Sequence, residues 1–212
     1  MPKIEPFEKN SDAYDDWFEN NHDLYEAELE AVCQLMPPLE AVGVEVGVGS
    51  GKFAAPLGIE IGVEPSEKMA VKARRLGINV YPGIAEDLPF TDGRFDFVLM
   101  VTTICFVDNI TKSFREAFRV LKLGGFIIIG FVDKESKLGR QYADKREESK
   151  FYKDATFFSA QEVLKYLEEA GFQPEKIKQT LIPEALPEII LDGFGQGAFV
   201  VIRGVKNKFE NS

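Results

Sequence analysis

Val42-Gly43-Val44-Glu45-Val46-Gly47-Val48-Gly49-Ser50-Gly51-Lys52-Phe53 decides how the rest of the chain is read. It opens as an apolar run with β-branched residues, the composition of a parallel strand buried on both faces. It then breaks into three alternating glycines ahead of a short helix expected over 50–57. A strand, a tight turn and a helix N-terminus together put backbone N–H groups at the carboxyl end of a strand. Open α/β sheets bind ligands there, and glycines let the backbone approach without a Cβ in the way. The pattern points to a nucleoside-containing cofactor. Two phosphate grips do not fit: the third glycine of a dinucleotide fingerprint falls on Lys52, and Gly51-Lys52 is followed by Phe53, not serine or threonine. What remains is Glu-x-Gly-x-Gly-x-Gly, with Glu64 closing the next apolar run, Ile59 to Val63. A carboxylate about 20 residues past a glycine turn is the spacing expected of a group that binds ribose hydroxyls.

Working outward, Ser66 is placed to cap a helix over 66–76 that Gly77 ends, and strands are predicted over 58–63, 78–81 and 94–101. A helix over 110–122 stops at Gly124-Gly125, followed by a strand from Phe126 to Phe131. Strands alternating with helices mean right-handed crossovers and a parallel sheet. Toward the end come a helix from Ser159 to Ala170, strands near 177–182 and 198–203, and a tail from Gly204 expected to fray. Upstream, Tyr14, Trp17 and Phe18 have the i, i+3, i+4 spacing of a helix face, and Leu24, Leu29, Val32 and Leu35 continue an amphipathic pattern to Pro37-Pro38. Two helices broken at Asn20-Asn21 are expected, with residues 1–10 loose.

The 212 residues, 45% of them hydrophobic, are enough for one domain with a full core, and no linker-like stretch divides them. A formal net charge of −10 leaves no broad basic surface to neutralise phosphates, which argues against a nucleic-acid partner. The two cysteines, Cys33 and Cys105, lie far apart in apolar surroundings and read as buried free thiols, with no metal site. No apolar run approaches the ~20 residues of a membrane span, and the opening residues are no signal peptide. These features together predict a cytoplasmic protein with no membrane partner. The single histidine, His22, near a helix start, reads as a surface or capping residue.

Five motifs in order, Glu45 to Gly51, Val63-Glu64-Pro65-Ser66, Gly83-Ile84-Ala85-Glu86-Asp87-Leu88-Pro89-Phe90, Phe95-Asp96-Phe97-Val98, and Phe114 to Phe126, resemble the class I S-adenosylmethionine-dependent methyltransferases. Within these the chain is most similar to the small-molecule branch that includes the ubiquinone/menaquinone-biosynthesis type, over roughly residues 35 to 132. The resemblance implies a Rossmann-like α/β fold: a seven-stranded, mostly parallel sheet with helices on both faces and an antiparallel C-terminal strand. It implies S-adenosyl-L-methionine as cofactor and in-line methyl transfer to a small-molecule acceptor. An amine would suit the acidic chain. An oxidoreductase of the dinucleotide type and a non-catalytic S-adenosylmethionine-binding module stay open as alternatives.

Carried onto this sequence, the resemblance implies cofactor contacts at Glu45, Gly47, Gly49, Ser50, Gly51, Glu64, Pro65, Met69 and Thr102. The turn's amides would meet the methionyl carboxylate, Glu64 would accept both ribose hydroxyls, and Met69 would pack on the adenine. Where many relatives carry Asp after the glycine of the third motif, this chain has Ile84, so the adenine edge passes to the Ala85 backbone and the Glu86 or Asp87 side chain. Cys105 and Phe106 stand where relatives often have histidines, which removes the obvious imidazole base. Tyr14, Asp15 or a water is left to take a proton from an amine. Tyr14, Trp17 and Phe18 either pack on the sheet or, as the resemblance implies, fold over the cofactor in a helical lid spanning 1–38. An acceptor cap over 133–158 is implied likewise, with Thr103, Tyr152 and Phe157, beside Tyr14 and Trp17, candidates for the acceptor pocket. The signatures of base-methylating relatives, an Asn-Pro-Pro-Tyr-like or Pro-Cys motif, are absent.

Overall fold

The computed structural model describes residues 3–38 and 40–207. One sheet contains β1 (Gly43–Val46), β2 (Ile61–Val63), β3 (Asn79–Tyr81), β4 (Phe95–Val101), β5 (Leu121–Val132), β6 (Gln173–Thr180), β7 (Leu191–Asp192) and β8 (Phe199–Val205). Their order is β3-β2-β1-β4-β5-β8-β6-β7. The first five strands are parallel, and β8 runs antiparallel between β5 and β6. This is the Rossmann-like methyltransferase arrangement. It has one strand more than expected, because the two-residue β7 adds itself to the β6 edge through Lys178 and Gln179. Since β1 has β2 on one side and β4 on the other, the sheet grows in opposite directions from it. A crevice therefore opens beyond its carboxyl end.

Alternation along the central strands divides the core between the two faces of the sheet. Val98 and Met100 of β4 and Ile127 and Ile129 of β5 face α5 (Ile110–Val120) and α7 (Ala160–Glu169). Phe97, Leu99 and Ile128 face α3 (His22–Cys33) and α4 (Glu67–Arg75). Helix starts follow local chemistry: the Ser66 hydroxyl accepts from the Met69 N–H, and Asn109 accepts from the Lys112 N–H. Ser159 and Glu162 close a capping box. The break between α2 (Ser11–Asn20) and α3 falls at Asn21, whose side-chain amide donates to the Trp17 carbonyl at 2.8 Å.

Several expectations are corrected. Residues 51–58 form turns, not a helix. Pro56 has no N–H to give the Lys52 carbonyl, which instead accepts the Tyr25 hydroxyl. Residues 5–9, expected loose, form α1 (Glu5–Lys9), with Pro6 in its first turn and Phe7 and Glu8 docked on neighbouring elements. Helix α5 ends at Val120 and β5 begins at once, because Gly93 and Arg94 donate to the carbonyls of Arg119 and Val120. Cys33 is exposed, lying off the α3 face that buries Ala27, Glu28, Ala31 and Val32. Gly204 and Val205 belong to β8, tied down by Lys206 on the carbonyls of Phe118 and Leu121. The rest of the expected frayed tail, 208–212, lies outside the described residues. Among the described residues no helix is long and apolar enough to cross a membrane, and no cluster of three or more metal-ligating side chains occurs.

Candidate active site

The crevice at the carboxyl ends of β1, β2 and β4 is a cavity of about 1280 Å³, its mouth included. Its floor is the turn after β1. Gly47 and Gly49 have φ of +73° and +54°, in the left-handed region that side chains resist, and both line the cavity. A Cβ on Gly47 would lie 2.5 Å from Thr103, and one on Gly49 would enter the space below Met69 and Tyr14. Glu64, at the end of β2, is fixed by two backbone donors: the Gly49 N–H reaches Oε2 and the Ser66 N–H reaches Oε1, each at 2.9 Å. Burial pushes its pKa up to about 7 against those N–H groups, with Glu8 adding to the rise. Each oxygen keeps acceptor capacity on its free side, as binding a vicinal diol requires.

Two further acids complete this end. Glu45 is buried in β1 with Oε2 unpaired; burial holds its pKa well above the ordinary carboxylate range, opposed by the Ala54 N–H and reinforced by Glu64. Glu86 lines the cavity while Oε1 accepts from the Asp108 and Asn109 N–H groups at 2.7 and 3.0 Å, fixing the loop that starts α5.

The roof comes from both ends of the fold. Lys72 of α4 donates to the Ser11 carbonyl, Asp12 and Asp15, and Ser50 donates to Asp15 at 2.6 Å, so α2 is strapped across the turn. Glu8 of α1 accepts from the Ser66 hydroxyl at 2.6 Å. From the other side, Phe151 meets Phe7 and Tyr14 at ring centroid distances of 5.6 and 6.0 Å. Tyr152 stacks on Phe106 and on Tyr142 of α6 (Lys137–Asp144).

Of the cofactor residues expected from sequence, Gly47, Gly49, Glu64, Pro65, Met69, Ala85, Glu86 and Thr102 line the cavity. Glu45, Ser50 and Gly51 stand behind the turn, and Asp87 is exposed, its N–H turned back to the Ile84 carbonyl. Tyr14, Trp17, Thr103 and Tyr152 line the cavity, while Phe157 borders a smaller adjoining one of about 330 Å³. Asp15, held by Ser50 and Lys72, serves the strap instead of the cavity. The Tyr14 phenol is pushed up by burial and by the charges of Glu45, Glu64, Asp15 and Glu28, so it stays protonated at neutral pH and can donate a hydrogen bond but not accept a proton. Burial likewise raises the Cys105 thiol to about 12. His22 lies on the surface beside Glu26.

Sequence reasoning missed Phe7, Phe106, Tyr142, Phe151 and Glu28, all lining the cavity. For Glu28 a signal existed: it continues the Val32 and Leu35 stripe one turn earlier, a charge on a buried helix face.

These residues fit an S-adenosylmethionine molecule. The glycine cradle leaves room where a Cβ would stand, Glu64 presents two oxygens of the kind a ribose diol needs, and the buried carboxylates of Glu28 and Glu86 line the same cavity. The profile of a family described as a methyltransferase domain matches residues 44–129. A crystal structure from Thermotoga maritima, described as a "SAM-dependent methyltransferase, possible histamine N-methyltransferase", superposes with a TM-score of 0.92 at 49% identity, covering 96% of this chain and 100% of that one. An uncharacterized protein of Methanocaldococcus jannaschii is 45% identical over 203 residues, 94% of this chain and 98% of that protein. Rice 2-methyl-6-phytyl-1,4-hydroquinone methyltransferase 1 is 35% identical over 114 residues, 53% of this chain and 32% of that one. The chain belongs to the class I S-adenosylmethionine-dependent methyltransferases.

Proposed function

We propose that the chain methylates a small-molecule amine, held beyond the glycine turn in the same crevice as the cofactor. One observation carries this reading: besides the residues around the glycine turn, the same cavity is lined by the aromatic rings of Trp17, Phe106, Tyr142, Phe151 and Tyr152 and by the buried carboxylate of Glu28. Bound S-adenosylmethionine would supply an electrophilic methyl on a sulfonium. Glu64 then holds the ribose, the Gly47–Gly49 turn receives the methionyl end, and Ala85 and Glu86 border the adenine. Residues 3–38 act as a lid and residues 133–158 as an acceptor cap, a division supported by the meeting of Phe7 and Tyr14 with Phe151. Closed, they exclude water and hold the acceptor in line with the bond to be broken. The Thermotoga structure's description as a possible histamine N-methyltransferase supports the amine class.

A hydroquinone acceptor is the second reading, favoured by the rice relative. S-adenosylhomocysteine formation measured across amines, phenols, hydroquinones and carboxylates separates the two. Turnover of amines is expected; turnover confined to hydroquinones replaces the leading reading with the second.

A further inference from the structure

One carboxylate in the crevice has no part in the cofactor contacts described above. Glu28 sits on the buried face of α3, is 5% exposed, and lines the cavity. Among the described residues no hydrogen-bond donor, lysine or arginine pairs with it, and burial alone pushes its pKa up to about 8. Removing a carboxylate from water without a partner is costly, and the cost is met when a cation arrives to pair with it.

Its neighbours locate it. Tyr14, Tyr142 and Tyr152 line the cavity with Glu28, and each phenol feels its charge. Glu28 therefore lies among the aromatic residues that α2, α6 and the cap bring to the crevice. The titratable groups facing it are the phenols of Tyr14 from α2, Tyr142 from α6 and Tyr152 from the cap, all raised by burial first. Rings stack in the same cavity, Tyr142 on Tyr152 at 5.3 Å and Phe106 on Tyr152 at 5.8 Å, and Trp17 also lines it. Aromatic faces and one unpaired carboxylate make a receptor for an organic ammonium.

We propose that Glu28 is the catalytic residue that recognises the acceptor's ammonium head and takes its proton, an assignment that rests on the amine reading above. Pairing with the ammonium drives the proton that Glu28 holds in the unliganded protein out to solvent, and the ammonium nitrogen then gives one proton to the Glu28 carboxylate. Its freed lone pair forms the N–CH₃ bond as the S–CH₃ bond breaks, and that bond's electron pair stays on sulfur. The products are an N-methylammonium, S-adenosylhomocysteine and a protonated Glu28, which returns its proton to solvent.

Trp17 is the chain's single tryptophan, so its fluorescence reports this end of the crevice. The experiment titrates 2-phenylethylammonium, and 2-phenylethanol as its uncharged counterpart, into the S-adenosylhomocysteine complexes of wild type, Glu28→Gln and Glu28→Asp. Expected is a loss of roughly 10- to 100-fold in ammonium affinity in Glu28→Gln. The charge-retaining Glu28→Asp should lose less, with alcohol and S-adenosylhomocysteine affinities unchanged in both. Ammonium binding that is absent in wild type, or equal in wild type and Glu28→Gln, overturns the proposal. So does a comparable loss of S-adenosylhomocysteine affinity in both variants, which would move Glu28 to the cofactor site. If wild type binds no ammonium yet methylates a hydroquinone, the assignment of Glu28 fails while methyl transfer to a small molecule stands.

Discussion

The two ends of the crevice are built by different means. At the glycine-turn end the polar groups are held by backbone: Glu64 by the Gly49 and Ser66 N–H groups, Glu86 by those of Asp108 and Asn109. At the other end Glu28, Trp17, Tyr142 and Tyr152 come from α2, α3, α6 and the segment after it, and ring contacts hold the cap residues together. Backbone geometry tolerates little change, and on the proposed reading it serves the cofactor common to the whole family. Side chains on separate elements can be exchanged one at a time, so acceptor choice can differ between relatives that share the sheet.

The largest test of this contrast is pH. The folded values for Glu64 and Glu28, about 7 and about 8, both lie above the ordinary 4.5. Between the two values the folded chain binds a proton that the unfolded chain has released. Stability of the unliganded protein therefore falls as pH rises from about 4.5 through 7 for Glu64 and through 8 for Glu28, on the order of 1 kcal/mol per pH unit for each group. Thermal melts across this range should show Glu28→Gln with a shallower slope, the buried Glu45 carrying part of the remainder. A variant with the wild-type slope would place that end's charge elsewhere.

Next is Glu64→Ala, expected to weaken S-adenosylhomocysteine binding by about 1.5–3 kcal/mol, since charge-assisted hydrogen bonds to the ribose are lost. Calorimetry reads this directly, and unchanged affinity would remove Glu64 from the ribose site. Gly47→Ala forces a Cβ onto Thr103 at a left-handed φ and should lower stability by about 1–2 kcal/mol. A melt at wild-type temperature would show that the turn is not rigid. The smallest effect belongs to Lys72→Ala, which releases the Ser11 carbonyl and Asp12 and leaves Asp15 held by Ser50. Ion pairs this close to solvent contribute up to about 1 kcal/mol, so cofactor affinity should fall a few-fold with little change in melting. Stopped-flow should assign the loss to faster dissociation.

Much of the rigid end was legible in sequence because its determinants are local. Glycine spacing, a carboxylate closing the next strand and a serine ahead of a helix are set by near neighbours. The expected helix over 50–57 failed on Pro56, whose missing N–H outweighed the helical run around it. Helix α1 was missed because its residues are fixed by distant partners, Phe7 by Phe106 and Glu8 by Ser66. Glu28 was overlooked because charged residues on helices mostly face water, although its place in the Val32 and Leu35 stripe marks the face that α3 buries.

Ser66 has a consequence of its own. Its amide donates to Glu64, while its hydroxyl caps α4 and donates to Glu8 of the strap. A ligand that draws Glu64 toward itself therefore acts on the residue to which the roof is moored, so filling the crevice and fastening its cover become a single equilibrium. Deuterium uptake by the amides of residues 5–20 should slow on cofactor binding, even though most of them never touch it.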